Sequence, residues 1–205
     1  METMPMFPLS TVLLPGAVLP LRLFEDRYLE MFDDMMAGDQ TFGVVLIERG
    51  TESGGDDVRF ETGCLARMVG AAPQEDGTIM TVNVGSERLR IVEWLAEDPY
   101  PRAMVERLPD GVSDTYVAAS VEQCRTLLTT IRALASELGS DVGDAPELSD
   151  DPIRATYQLA HIAPLQSLDQ QRLLEIDDPL TRAETLRRHL EAILEMLRLE
   201  LAMGS

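Results

Sequence analysis

Lysine is missing from this chain: all 17 basic residues among its 205 positions are arginines. A lysine amine is needed by the phosphate-binding GxxxxGK[ST] loop, by the Ser-Lys catalytic dyad and by Schiff-base catalysis. These 205 residues therefore cannot form any of those three sites.

Cysteine and histidine are scarce as well, with two of each. Cys64 and Cys124 are far apart and show no CxxC spacing, which argues against a disulfide framework and against a zinc site. His161 and His189 lie in helical patterns without a G-x-S-x-G motif. We expect no cofactor and no metal site. A hydrolase that pairs Cys64 or Cys124 with His161 stays open as a minor alternative, because only the fold can bring such groups together.

The chain also lacks long apolar runs and an excess of positive charge. No segment approaches the roughly 18 uninterrupted apolar residues that span a bilayer. The start of the chain has four prolines and no base before Arg22, unlike a signal peptide. The net charge of −19 disfavours nucleic acid and anionic membranes as partners. We expect a soluble cytoplasmic protein whose oligomeric state is open.

The apolar pattern predicts strands through residues 1–112. The continuous run FGVVLIER at 42–49 is typical of a strand that is buried on both faces. Alternating segments at 62–71, 78–85 and 100–108 predict further strands. In the segment at 78–85, one face would carry Met80, Val82 and Val84 and the other Thr81 and Asn83. An edge strand in VLPLRLF would place Leu19, Leu21 and Leu23 on one face.

One helix is predicted within this half. Its apolar residues recur at spacings of three and four before Gly38, and they are Tyr28, Met31, Phe32, Met35 and Met36. Many short strands and one crossing helix favour a small closed or nearly closed barrel. The acidic, glycine-rich loop at 50–57 predicts a mobile tip.

From residue 113 the pattern becomes helical, so we predict an α+β protein with a barrel at 1–112 and a helical bundle at 113–205. A polar, acidic connector is expected near 140–151. Asp151-Pro152 and Asp178-Pro179 are typical helix starts, in which an acidic cap precedes proline.

Several segments together resemble one family, the amino-terminal substrate-binding domain of Lon proteases in its stand-alone form. They are FPLSTVLLPGAVLPLRLFEDRYLEMF, FGVVLIERG, DGTIMTVNVGSERLRI, YPRAMVE and DQQRLLEIDDPLTRAETL, and they extend from about residue 5 to 198. The resemblance implies a PUA-like β-barrel followed by a C-terminal helical bundle. Full Lon enzymes continue into an ATPase and a Ser-Lys protease; this chain stops before both, so we expect no enzyme activity.

The resemblance implies protein recognition, and the leading hypothesis is a module that binds exposed apolar segments of unfolded or damaged polypeptides. It would act as an adaptor or holdase, alone or with a full-length protease. Met31, Met35 and Met36 are the candidate peptide-binding residues, because flexible thioethers suit surfaces that accept many sequences. Their spacing also fits ordinary core packing. A groove between barrel and bundle is the expected site.

RNA binding is the alternative, because PUA-like barrels elsewhere bind RNA. It would require arginines that are scattered in the sequence to form a patch in the fold. The candidates are Arg59, Arg67, Arg88 and Arg90.

Overall fold

The computed structural model describes residues 1–50, 58–143 and 147–204. Apart from Gly50, the predicted tip at 50–57 lies outside these ranges, as do residues 144–146 of the predicted connector. The described strands are β1 Glu2–Leu9, β2 Val18–Leu23, β3 Thr41–Arg49, β4 Val58–Arg59, β5 Thr62–Pro73, β6 Ile79–Trp94 and β7 Arg102–Leu108. The described helices are α1 Asp26–Met36, α2 Thr115–Glu137, α3 Pro152–Ile162, α4 Ser167–Glu175 and α5 Pro179–Gly204.

The chain divides into two compact units, Met1–Pro109 and Asp110–Ser205. The boundary after residue 112, which the sequence analysis places between the barrel and the helical bundle, stays a prediction. The α+β class is confirmed, because the strands fall in the first unit and all helices except α1 fall in the second.

Five strands of the first unit close into a ring. β1 pairs in parallel with β3 and antiparallel with β7, and the circuit continues through antiparallel pairs of β3 with β5, β5 with β6, and β6 with β7. Met6, Leu65, Leu89 and Val105 are buried inside it. A Cβ at Gly63 of β5 would collide with the Val44 backbone carbonyl of β3, so this close approach requires glycine. The predicted closed barrel is confirmed.

The three strands β2, β6 and β5 form an extension of the barrel. On this part of β6 the polar side chains are buried and the apolar side chains are exposed, which reverses the usual arrangement. Leu23 of β2 is buried, Leu19 and Leu21 are partly buried, and the alternate β2 positions are exposed, as the sequence predicts. On β6 the alternation is present, but the polar residues Thr81 and Asn83 are the buried ones.

Hydrogen bonds explain this inversion. The Asn83 side-chain amide donates to the Leu19 carbonyl at 3.0 Å and to the Thr81 hydroxyl at 2.9 Å. The amide nitrogen therefore avoids much of the cost of leaving water, whereas the Asn83 Oδ1 is buried without a hydrogen-bond partner among the described residues. The apolar residues Met80 and Val82 consequently lie on the exposed face.

Helix α1 follows β2 and is stabilised by an aromatic stack. Tyr28 and Phe7 have ring centroids 4.0 Å apart with an interplanar angle of 16°. Near the end of the helix, the Tyr100 hydroxyl donates to Asp34 at 2.7 Å. The backbone N–H of Ala37 bonds to carbonyls of the last helical turn and caps the helix, which ends at Met36, two residues before Gly38.

The second unit is a set of four helices in which α2 packs against α5. Both predicted acidic caps are confirmed: Asp151 accepts the Ile153 N–H at 3.1 Å, and Asp178 accepts the Thr181 N–H at 2.8 Å. α2 is capped in the same way by Asp114.

A buried arginine holds the second unit together. The Arg182 guanidinium donates to the Ile176 carbonyl at 2.7 Å, lies 3.3 Å from the Asp110 carboxylate and covers the Tyr157 ring at 4.2 Å. The Tyr157 hydroxyl also donates to Asp110, at 2.7 Å. One carboxylate thus joins the start of the unit to α3 and α5.

Candidate functional site

The three candidate methionines divide between core and surface. Met31 is 1% exposed and Met35 is also buried, because residues four apart lie on the same face of α1. Met36 is 49% exposed, since it lies about 100° further around the helix. In this conformation Met36 can therefore contact a ligand directly, whereas Met31 and Met35 fill the space beneath α1.

A flat apolar surface lies on the exposed side of β2, β6 and β5. The register places Pro20 beside Val82 and Val82 beside Gly70, and the next row joins Arg22, Met80 and Ala72. Directly paired residues point to the same face of a sheet. We call this surface the outer apolar face, and it consists of Val18, Pro20, Gly70, Ala72, Met80 and Val82.

The outer apolar face is accessible to solvent. The side chain of Val18, for example, is 55% exposed. Contiguous exposed apolar side chains on a soluble domain mark interaction surfaces more often than scattered ones do. Sequence reasoning missed this surface. The available signal was the alternation on β6 itself, but which side of that strand faces inward depends on contacts that are distant in the sequence.

The edge of β2 is poorly suited to pairing with another strand. β2 pairs with β6, and its other side has no strand partner within the described residues. However, Pro20 has no N–H to donate to a ladder, and Arg22 places a charge on the edge and forms an ion pair with Asp76 at 2.6 Å. A ligand would therefore bind against the face of this sheet rather than extend it.

A small cleft of about 110 Å³ opens at the junction of β2 and α1. Its lining residues are Phe7, Leu9, Leu21, Arg22, Phe24, Glu25 and Tyr28. Phe24 is largely exposed there, and burial raises the pKa of the Tyr28 hydroxyl to about 12, so that this phenol stays neutral. Glu25 is paired with Arg27 at 2.9 Å. The cleft has the size and polarity to hold one apolar side chain.

The two cysteines are poorly suited to nucleophilic catalysis. Both thiols are buried, and the Cys124 thiol lies 3.5 Å from the Ala183 carbonyl. Burial raises the pKa of Cys124 to about 12, which keeps it in the unreactive thiol form.

The four candidate RNA-binding arginines differ in how accessible their charge is. Arg88 is buried and Arg59 pairs with Glu97 at 2.8 Å, whereas Arg67 is exposed and Arg90 is half exposed at 3.8 Å from Glu106. Phosphate binding needs exposed positive charge, which Arg88 does not supply and which Arg59 and Arg90 share with a carboxylate.

The described part of the chain contains neither a cluster of metal-ligating side chains nor a membrane-spanning helix. No group of three or more histidine, cysteine or acidic side chains there could hold a metal ion. None of the helices there is both long and apolar enough to cross a membrane.

The fold is a closed barrel with a three-stranded extension that carries an exposed apolar surface, followed along the chain by a unit of helices. The family model for the ATP-dependent protease La (LON) substrate-binding domain matches residues 3–192. The chain belongs to this family.

Curated relatives support the assignment. The chain is 27% identical to the Lon protease of Cytophaga hutchinsonii over 205 residues, covering 97% of this chain and 25% of that protein. It is also 27% identical to the Lon protease of Koribacter versatilis over 203 residues, again covering 97% of this chain and 25% of that protein. The chain thus spans about a quarter of the length of these relatives.

Solved structures of similar domains confirm the fold. A Lon N-terminal domain protein from Xanthomonas campestris matches with a TM-score of 0.67 and 26% identity, covering 91% of this chain and 97% of that one. The N-terminal domain of the Mycobacterium avium complex Lon protease matches with a TM-score of 0.66 at 19% identity, over 93% and 98% of the two chains.

Proposed function

We propose that this chain binds exposed apolar segments of unfolded or damaged polypeptides and does not cut them. Its membership of a substrate-binding domain family supports protein recognition, and the outer apolar face is the observation that carries the proposal. Burying apolar surface contributes about 25 cal/mol per Å², so a few aliphatic side chains of a client laid on this face suffice for weak, reversible binding.

Helix α1 is the second part of the proposed surface. Met36 contacts the client, and Met31 and Met35 let the helix adapt beneath it, because their unbranched thioethers repack at low cost. The single-side-chain cleft beside Phe24 would add one anchor. A groove between the barrel and the helical unit stays a prediction.

In the cell the domain would act as an adaptor or a holdase, alone or with a full-length protease, in the cytoplasm. Both roles need binding without catalysis, and both need release of the client. The absence of lysine from these 205 residues fits this role, since it excludes an internal Ser-Lys protease site.

The proposal is tested by the aggregation of a chemically denatured client, followed by light scattering, and by binding to an apolar peptide library. The wild-type protein should retard aggregation, and Met80→Ser with Val82→Ser should abolish this effect. Val92→Ser is the matched control, since Val92 is an exposed β6 residue outside the outer apolar face. Met36→Ser tests α1 separately.

Circular dichroism must show that each variant folds. Met31 and Met35 are left unchanged in this test, because serine at a buried position would destabilise the fold and confuse the result. If the wild-type protein neither binds the library nor retards aggregation, the proposal is wrong.

A further inference from the structure

A second open groove lies in the helical unit, along the seam between α2 and α5. Its volume is about 530 Å³, and its lining residues are Ala119, Glu122, Gln123, Thr126 and Leu127 of α2 with Arg187 and Glu191 of α5. The α2 residues recur at spacings of three and four, so they form one face of that helix. This groove shares no residue with the outer apolar face.

The wall of the groove is more apolar than its residue types suggest. The Thr126 hydroxyl donates to the Glu122 carbonyl at 3.1 Å, and the Thr130 hydroxyl donates to the Thr126 carbonyl at 3.0 Å. A hydroxyl that bonds to the carbonyl four residues earlier is occupied by its own helix. The Thr126 hydroxyl has therefore used its one donor and can only accept from a ligand, while Ala119 and Leu127 contribute apolar side chains to the lining.

The charges around the groove are mainly negative. The charged lining residues are two glutamates, Glu122 and Glu191, and one arginine, Arg187, which pairs with Glu191 on the same helix. Glu122 lies 3.5 Å from Arg125, but its side chain is largely exposed, so this ion pair is weak. Residues 113–205 carry 16 acidic residues and 8 arginines, which gives this half a net charge of −8.

We infer that the groove binds an amphipathic helix of a partner protein, with medium-sized apolar side chains along its ridge and lysine or arginine on its flanks. The seam between two packed helices accepts the ridge of a third helix. The volume exceeds that of one side chain and lies in the range of well-formed ligand sites. A second copy of this chain would bring two acidic surfaces together, so charge complementarity favours a basic partner instead.

The test uses the full chain and two helical peptides of about 18 residues, or five turns, that share one leucine ridge. One peptide carries lysine on its flanks and the other glutamate. We expect the lysine peptide to bind at least about tenfold more tightly by fluorescence anisotropy, and its affinity to fall as salt is added.

Two threonine variants locate the site. Thr126→Arg fills the groove with a long cation and should weaken binding of the lysine peptide about tenfold or more. Thr129→Arg is the matched control, because Thr129 is exposed on α2, makes the same type of hydroxyl bond at 2.9 Å and does not line the groove. Circular dichroism should show equal helix content in both variants.

Three outcomes would overturn the inference. They are equal binding of the two peptides, equal effects of the two variants, and self-association of the free chain in sedimentation that Thr126→Arg abolishes. The last outcome would assign the groove to a second copy of the chain. The leucine ridge could also contact the outer apolar face, so Met80→Ser with Val82→Ser, which should leave the affinity for the lysine peptide unchanged, separates this inference from the proposed function.

Discussion

Removal of the Asp110 carboxylate should destabilise the helical unit strongly. Arg182 is 0% exposed, and its guanidinium lies 3.3 Å from this carboxylate. Breaking a buried ion pair by removing one partner typically costs about 3–5 kcal/mol, because the remaining charge stays buried.

The structure places the expected cost below that range. Arg182 would keep its bond to the Ile176 carbonyl at 2.7 Å, and the Asp110 side chain is partly exposed. However, Tyr157 would also lose the acceptor for its hydroxyl, which adds about 1 kcal/mol. We therefore expect Asp110→Ala to lower the free energy of unfolding by about 2–3 kcal/mol, and Tyr157→Phe by about 1 kcal/mol.

Urea unfolding, monitored by circular dichroism, measures both effects. The double variant Asp110→Ala with Tyr157→Phe completes a double-mutant cycle, which gives the coupling energy between the two side chains. The matched control is Asp169→Ala. Its partner Arg172 is 71% exposed at a distance of 3.3 Å, so this change should cost less than about 0.5 kcal/mol. The reasoning is refuted if Asp110→Ala and Asp169→Ala have the same effect, or if the cycle shows no coupling between Asp110 and Tyr157.

Two further changes test the barrel unit. Burial, with a hydrogen bond to Asp34, raises the pKa of Tyr100 from 10.0 to about 12, so the neutral phenol contributes stability below pH 10 that is lost as the pH rises through about 12. Near pH 11 the loss of stability should be roughly 1 kcal/mol smaller in Tyr100→Phe than in the wild type, as measured by urea unfolding at each pH; the raised pKa values of Tyr28 and Cys124 contribute equally to the loss in both proteins. Gly63→Ala should cost about 1–3 kcal/mol, because the new methyl group would collide with the Val44 backbone carbonyl, which cannot move aside as a flexible side chain can. Gly70→Ala, where no atom lies within 4 Å, should be nearly neutral by the same measurement.

Local features of the fold were predictable from the sequence. The caps at Asp151 and Asp178 depend on hydrogen bonds within three residues, and helix α1 depends on spacings of three and four. The closure of the barrel was expected from the number of strands. The parallel pairing of β1 with β3 that completes it joins residues far apart in the chain, and no local pattern specifies it.

The candidate site was harder to predict for the same reason. The spacing of Met31, Met35 and Met36 is compatible with both core and surface, and packing decides between them. The orientation of β6 depends on Asn83 bonding to Leu19, 64 residues earlier. A polar residue in an alternating strand is assigned to solvent by pattern alone, so the exposed side of Met80 could not be recognised without the fold.

An adaptor must bind its client and its partner at the same time, through two separate surfaces. One experiment can therefore test the proposed function and the inferred partner site together. The outer apolar face and the α2–α5 groove have no residue in common, so a saturating amount of the lysine-flanked peptide should leave the affinity for an apolar client peptide unchanged within about twofold. Met80→Ser with Val82→Ser should weaken only client binding, and Thr126→Arg should weaken only binding of the lysine-flanked peptide. Competition between the peptides, or loss of both activities in either folded variant, would mean that one surface serves both ligands. In that case the chain would act as a holdase with a single binding site, because an adaptor that releases its client on meeting its partner cannot deliver it.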